Sequence, residues 1–234
     1  MPTNWSAQVF NKMKNTNNQF SKGKAMVFID GGNFYHLVLK KLKIEETKFD
    51  FERFASFLTE RYTMEEFGKR FYVGTMVADK DNPKSAQSMK NQNALFTFLR
   101  ANKWYIGTSK LKFRKERIVI DGRVDDFERI KRLGINEIWY KRYREKGIDA
   151  KIVADLIIGA FEDKYDLAIV VSSDADILPA IECARKIKGK KVKYIGFDLD
   201  GDGGNVNKSI FFNVDSSVIL NEEDLKNFII QNKN

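Results

Sequence analysis

Cysteine is nearly missing from this 234-residue chain: Cys183 stands alone, so no internal disulfide and no thiolate zinc cluster can form. A reducing compartment, and with it a cytoplasmic location, is the expectation. Histidine is equally scarce. With His36 as the only one, a two-histidine ribonuclease site and a His-rich zinc site are excluded, and any histidine-based triad would have to use that residue. No stretch approaches the roughly 18 consecutive apolar residues of a membrane span. Residues 1–20, with lysines and many asparagines, lack the apolar core of a secretory signal. Internal repeats and a convincing linker are absent too, so one domain is expected. Hydrolytic chemistry, if the chain performs any, is left to carboxylates and a hard metal ion.

What the chain does have is positive charge in one place. The net charge is +9 and the pI about 9.4. Residues 100–146 carry 15 Lys and Arg against 7 Asp and Glu, which accounts for nearly the whole imbalance. Such a segment attracts a polyanion, and nucleic acid is the abundant one. The plainer reading is a solvated face that aids solubility. Hydrophobic content of 43% suffices for one sizeable core.

Apolar runs and amphipathic stretches then alternate. AMVFID (25–30) reads as a buried strand that turns at Gly31-Gly32 into a helix over 34–42. A helix is expected at 50–62, a strand at 70–77, a helix at 84–102 and a strand from Trp104. Residues 109–145 look β-like, with Asp121-Gly122 a hairpin signal. They are read as a basic β-ribbon insert. Regular alternation then returns: helix 149–164, strand 166–173, helix 175–188, strand 190–197, a glycine-rich loop, a short helix near 206–212, strand SSVIL and a helix from Glu222. Apolar strands separated by helices imply an α/β fold, a parallel sheet covered by helices on both faces. Residues 1–24 read as a basic, Asn-rich tail and 25–234 as the domain.

Ligand sites in such sheets form outside the carboxyl ends of strands, at a topological switch point. Two apolar strands end in acids: one at Asp30, the other at Asp174 with Asp176 two residues on. Between them, the helix that follows Lys146-Gly147 opens with Asp149 and carries Asp155. If the two strands are neighbours, these carboxylates converge, and their repulsion calls for a cation. Oxygen-only ligands favour Mg²⁺ or Mn²⁺. Each acid also has a duller explanation. Asp30 can begin a turn, Asp174 or Asp176 can cap a helix, Asp149 can answer a helix dipole, and Asp155 can be solvated. Asn33 can cap a helix or orient a metal-bound water, and His36 reads as a surface or packing residue.

Together these residues resemble a known family. Asp30-Gly31-Gly32-Asn33 after a strand, Lys146-Gly147-Ile148-Asp149 opening a helix that carries Asp155, and Ser172-Ser173-Asp174-Ala175-Asp176 after the next strand resemble the NYN domain of the PIN-like nuclease superfamily. The likeness runs from about residue 25 to about 220. It implies a Rossmann-like fold and metal-dependent endonucleolytic cleavage of RNA that leaves a 5′-phosphate. Asp30 and Asn33 match the first motif, Asp149 and Asp155 the second, Asp174 and Asp176 the third. Two positions depart from the pattern: Ser173 stands where glycine is usual, and Ile177 where an aromatic often follows.

Other signals bear on partners. Trp139-Tyr140-Lys141-Arg142-Tyr143-Arg144 interleaves aromatics with cations, which suits an RNA track as well as it suits a strand with buried aromatics. Lys112, Arg114, Lys115, Arg117, Lys141, Arg142, Arg144 and Lys146 are the candidate nucleic-acid-binding residues. The expected partner is RNA, single-stranded by preference, with no membrane, and a homodimer stays open. Residues 198–203 imitate a calcium loop, but its twelfth position is Ser209 and no helix precedes it. A haloacid-dehalogenase phosphatase would need an acid at Gly32. The expectation is a metal-dependent endoribonuclease. A non-catalytic RNA-binding module and a DNA-directed nuclease are the alternatives.

Overall fold

The computed structural model describes residues 23–78, 83–110, 112–144, 147–201, 203 and 206–230, so the Asn-rich N-terminal segment lies outside the described residues. Alternation of apolar strands with amphipathic helices organises the rest. β1 (Lys24–Asp30) is buried at every position after Lys24. α1 follows at once, as an α-helical turn Gly31–Phe34, a π-helical stretch Tyr35–Leu39 and a last turn Lys40–Leu42. α2 (Phe51–Leu58) is capped by Asp50, whose carboxylate accepts the Arg53 N–H at 2.9 Å. Then come β2 (Thr63–Thr75), α3 (Pro83–Ala101) and β3 (Tyr105–Lys110). β4 (Lys112–Val119), α4 (Phe127–Arg132) and β5 (Glu137–Arg144) form an excursion. α5 (Ile148–Phe161) and β6 (Leu167–Val171) rejoin the domain. α6 is again composite, running through Ala175–Ile177, Leu178–Glu182 and Cys183–Ile187. β7 (Lys191–Phe197), α7 (Lys208–Phe212), β8 (Ser216–Leu220) and α8 (Glu222–Lys226) complete the order.

Six strands form one parallel sheet in the order β3-β2-β1-β6-β7-β8. The chain winds outward from β1 to β3, returns to the centre, and winds outward the other way from β6 to β8. That reversal leaves β1 and β6 side by side, with Ile29 opposite Val171. The switch point therefore lies between the carboxyl ends of these two strands.

Side-chain alternation divides the core between the two faces. Ala25, Val27 and Ile29 pack with α1, α2 and α3 residues such as Phe34, Phe54 and Leu99. Met26 and Phe28 pack with Ile152 and Leu156 of α5 and Ile181 of α6 on the other face. On the first face Phe34 meets Phe49, Phe51 and Phe54 at ring-centroid distances of 5.0, 5.5 and 5.8 Å. Burying each such ring contributes about 2 kcal/mol or more. Gly31 is required here for space. A Cβ on it would lie 2.5 Å from the Phe71 ring, so only glycine lets α1 start so close to β2.

Several elements differ from the expectation. β2 begins at Thr63 rather than 70, its polar first half pairing with β1 across an irregular register between Ala25 and Val27. α2 accordingly stops at Leu58 instead of 62. Asp121-Gly122 does not make a tight hairpin. Asp121 instead receives the backbone and guanidinium of Arg123 and starts a turn into α4. The ribbon closes farther on, where Ile120 N–H reaches Asn136 O at 3.0 Å. The β-ribbon itself is present, as a separate antiparallel pair of β4 and β5. In the loop resembling a calcium site, one Asp198 carboxylate oxygen is taken by the N–H groups of Gly201 and Gly203, at 2.9 and 3.1 Å. No described helix is long and apolar enough to cross a membrane.

Candidate metal centre

Residue parity in β1 decides where Asp30 points. As the next even position after Met26 and Phe28, it lies on the α5–α6 face, and it is only 6% exposed. Its carboxylate caps α1 by accepting the Asn33 N–H at 2.9 Å. Its other oxygen accepts the hydroxyl of Ser172, the residue just past β6, at 3.1 Å. The Ser172 oxygen in turn accepts the Asp174 N–H at 3.1 Å. Asp174 then caps the first turn of α6 by accepting the Asp176 N–H at 2.9 Å. One hydrogen-bonded chain thus runs from β1 to the two acids after β6.

Asn33 closes a second link. Its side-chain oxygen accepts the Ser173 N–H at 3.0 Å, so the α1 start holds the β6 loop directly. Ser173 Oγ lies 3.0 Å from the Tyr194 hydroxyl, a contact that glycine at this position could not make. Asn207 caps α7 through Ile210 N–H at 3.0 Å and gives its amide to Ser173 O at 2.9 Å. Tyr194 and Asn207 join the site only through the fold. Asn207 before a helix is readable as a cap, but its reach to Ser173 is tertiary and leaves no local trace.

The third element arrives from α5. Gly147 precedes it in a left-handed conformation, φ 86°, and delivers Asp149 in the first turn. Carboxylate oxygens of Asp149, Asp174 and Asp176 all lie within 4.8 Å of one another. Asp30, Asn33, His36, Gly147, Asp149 and Asp174 line a cleft of about 320 Å³ beside them. Among the described residues no cation pairs with these three acids. Burial pushes the Asp30 carboxyl up to about 6, helped by the charges of Asp149 and Asp174 and opposed by its bonds to Asn33 and Ser172. Asp149 is raised as well, by burial first and then by Asp174 and Asp176. Concentrated, uncompensated carboxylate oxygen is the donor chemistry that a hard divalent cation fits.

Asp155 does not join the cluster. It lies six residues along α5 from Asp149, and its carboxylate is held by Arg70 at 2.8 Å and by the Tyr72 hydroxyl at 2.7 Å. Burial and the Asp155 charge hold the Tyr72 phenol protonated, well above its ordinary value. This trio ties α5 to β2, and Tyr72 is the register partner of Asp30. The expected metal ligand is in this structure a tether for the helix that carries Asp149.

Of the expected nucleic-acid-binding residues, Arg114, Lys115 and Lys141 are exposed on the ribbon. Arg117 is exposed too, with its guanidinium on Glu137 at 2.6 Å. Lys112, Arg142 and Arg144 occupy strand positions, their side chains outside what is described, and Lys146 lies outside the described residues. Trp139 is 59% exposed, contrary to a strand that buries its aromatics. Tyr140 is half-buried and gives its hydroxyl to Glu116.

The NYN domain model matches residues 24–219, most of the chain and a span in which all three acidic segments lie. The chain belongs to the NYN domain family. NYN domains form part of the PIN-like nuclease superfamily, whose members act on nucleic acids and generally depend on a divalent metal. A crystal structure of a protein of unknown function from Vibrio parahaemolyticus RIMD 2210633 has the same fold, with a TM-score of 0.52 and 18% identity. It covers 88% of this chain and 98% of its own. No curated protein matches the chain. For this NYN domain the six-stranded parallel sheet flanked by helices agrees with a PIN-like fold.

Proposed function

We propose that this NYN domain is a divalent-metal-dependent endoribonuclease. The observation that carries the reading is the convergence of Asp149, Asp174 and Asp176, with oxygens within 4.8 Å, at the switch point and beside a buried Asp30. Asp149, Asp174 and Asp176 would hold Mg²⁺ or Mn²⁺, and Asp30 supplies negative charge from the cleft floor. When bound, the cation supplies an activated water and neutralises charge on a phosphodiester undergoing in-line displacement.

The chain's own groups supply placement. Asn33 and Ser172 hold the β6 loop so that Asp174 faces Asp149, and Asp155 keeps α5 in register with β2. His36 lies on the cleft rim. A pure binding module gains nothing from uncompensated carboxylates next to its RNA, which favours turnover.

Labelled single-stranded RNA and single-stranded DNA incubated with the full chain and Mn²⁺, Mg²⁺ or EDTA test the proposal. Cleavage of RNA with either metal, absent in EDTA and in Asp174→Asn, is the expected outcome. Cleavage that persists in EDTA or in that variant overturns it, as does the absence of cleavage under every condition. Preferential cutting of DNA moves the substrate and keeps the site.

A further inference from the structure

The β4–β5 ribbon leaves the domain at a telling place. It is spliced between Lys110, the carboxyl end of β3, and Gly147, which lines the acidic cleft. In a parallel sheet both points lie on the edge where β1 and β6 end, so the ribbon rises from the side of the molecule that carries the acids. Its register places cation opposite cation three times: Lys112 with Arg144, Arg114 with Arg142, and Lys115 with Lys141. All three pairs sit in the half nearest the cleft.

Next to that half lies a groove of about 440 Å³ lined by Lys115, Trp139, Tyr140 and Lys141. The Trp139 ring is 59% exposed, and no described ring packs on it. Its N–H is already used, donating to Glu137 at 2.8 Å, and Glu137 is itself fixed by Arg117. An indole held by its edge with an open face is a stacking platform. Lys141 and Gly147 are six residues apart, so the groove lies at most about 22 Å along the chain from the cleft.

We propose that this ribbon is a grip for unpaired nucleic acid, in which a base stacks on Trp139 while flanking phosphates lie on Lys115 and Lys141. The grip extends the nuclease reading to its substrate: a strand held there runs on past the cationic pairs toward the acidic cleft, a few nucleotides away. A duplex offers no open base face to the indole, so the grip selects unpaired strands.

Binding of a fluorescein-labelled 20-nucleotide oligo(U) and of an RNA duplex of equal length, measured on the full chain in EDTA, tests the grip apart from cleavage. Trp139→Ala is expected to weaken oligo(U) binding about tenfold while leaving the duplex nearly unchanged. Trp139→Phe, which keeps an aromatic face, is expected to restore most of the affinity. Replacing both Lys115 and Lys141 by alanine should reduce the salt slope for oligo(U) by about 1.4. Equal binding by wild type and Trp139→Ala, or an equal loss on the duplex, overturns the grip. So does sedimentation in which wild type is a dimer and Trp139→Ala a monomer, because the indole would then serve a second copy. A chain that grips oligo(U) through Trp139 yet cuts nothing with any metal contradicts the nuclease reading alone. A chain that cuts RNA with no contribution from Trp139 contradicts the grip alone.

Discussion

Asp30→Asn should make the metal-free protein more stable at neutral pH, although it removes a residue of the proposed site. The carboxyl is 6% exposed and its acidity is moved from the ordinary 3.8 to about 6. At about 1.36 kcal/mol per decade of acidity, that shift represents about 3 kcal/mol. The sign follows from the direction. A carboxyl that ionises less readily folded than unfolded contributes stability below 3.8 and loses it as pH rises toward and through 6. At pH 7.5 the wild type therefore bears the full cost and the amide bears none. An amide oxygen still caps Asn33 N–H, but an amide nitrogen now faces Ser172, whose hydroxyl already accepts from Asp174. Turning that hydroxyl costs about 1 kcal/mol, leaving a net gain of about 2. For a chain of this size that is about 4 to 8 °C in melting temperature. Thermal melts in EDTA from pH 4 to pH 8 are the assay. The difference between variant and wild type should shrink toward acid and open between pH 4 and 7. Adding Mn²⁺ should raise the wild type and narrow the gap. A variant less stable than wild type at pH 7.5, or a difference that ignores pH, refutes the reasoning.

Three further outcomes follow from the geometry. Asp174→Asn should lower Mn²⁺ affinity by more than about 100-fold, read by calorimetry, because it removes a carboxylate from the three that converge. Asn33→Ala, by releasing the Ser173 N–H, should cut turnover about 10- to 100-fold while lowering the melting temperature by only about 2 to 4 °C in a coupled assay of RNA cleavage and thermal unfolding. Asp155→Ala should act in the opposite sense, losing about 3 kcal/mol in urea unfolding because Arg70 and Tyr72 are left without their carboxylate. Its Mn²⁺ affinity should stay within a few-fold of wild type.

Which parts were legible in the sequence follows from the range of the forces involved. β1 and β6 are runs of apolar residues that end in acids, and such runs are readable because burial on both faces leaves no polar position. Nothing local in either strand dictates that the two lie side by side. They do so because the chain reverses its winding after α5, which strand–helix alternation permits but does not dictate. The ribbon was readable from its β-like residues and charge. Its closure was not, since Asp121 takes its own Arg123 and the chain makes a helix before turning back. The polar half of β2, Thr63–Lys69, carries no strand signal of its own and becomes a strand only by pairing with β1. The π-helical stretches in α1 and α6 leave no compositional mark. Asp155 shows the limit most clearly: spacing put it on the same helix as Asp149, but its partners Arg70 and Tyr72 lie more than 80 residues away. Motif order named the acids, and only tertiary structure separates the three that converge from Asp30, buried beside them, and Asp155, which ties the helix down.

Crystals grown with Mn²⁺ and measured at the manganese absorption edge test the central claim most directly. The account predicts an anomalous peak about 2.1 Å from carboxylate oxygens of Asp149, Asp174 and Asp176, lost in Asp174→Asn. A peak at some other place on the molecule, or none in the cleft at saturating Mn²⁺, contradicts it.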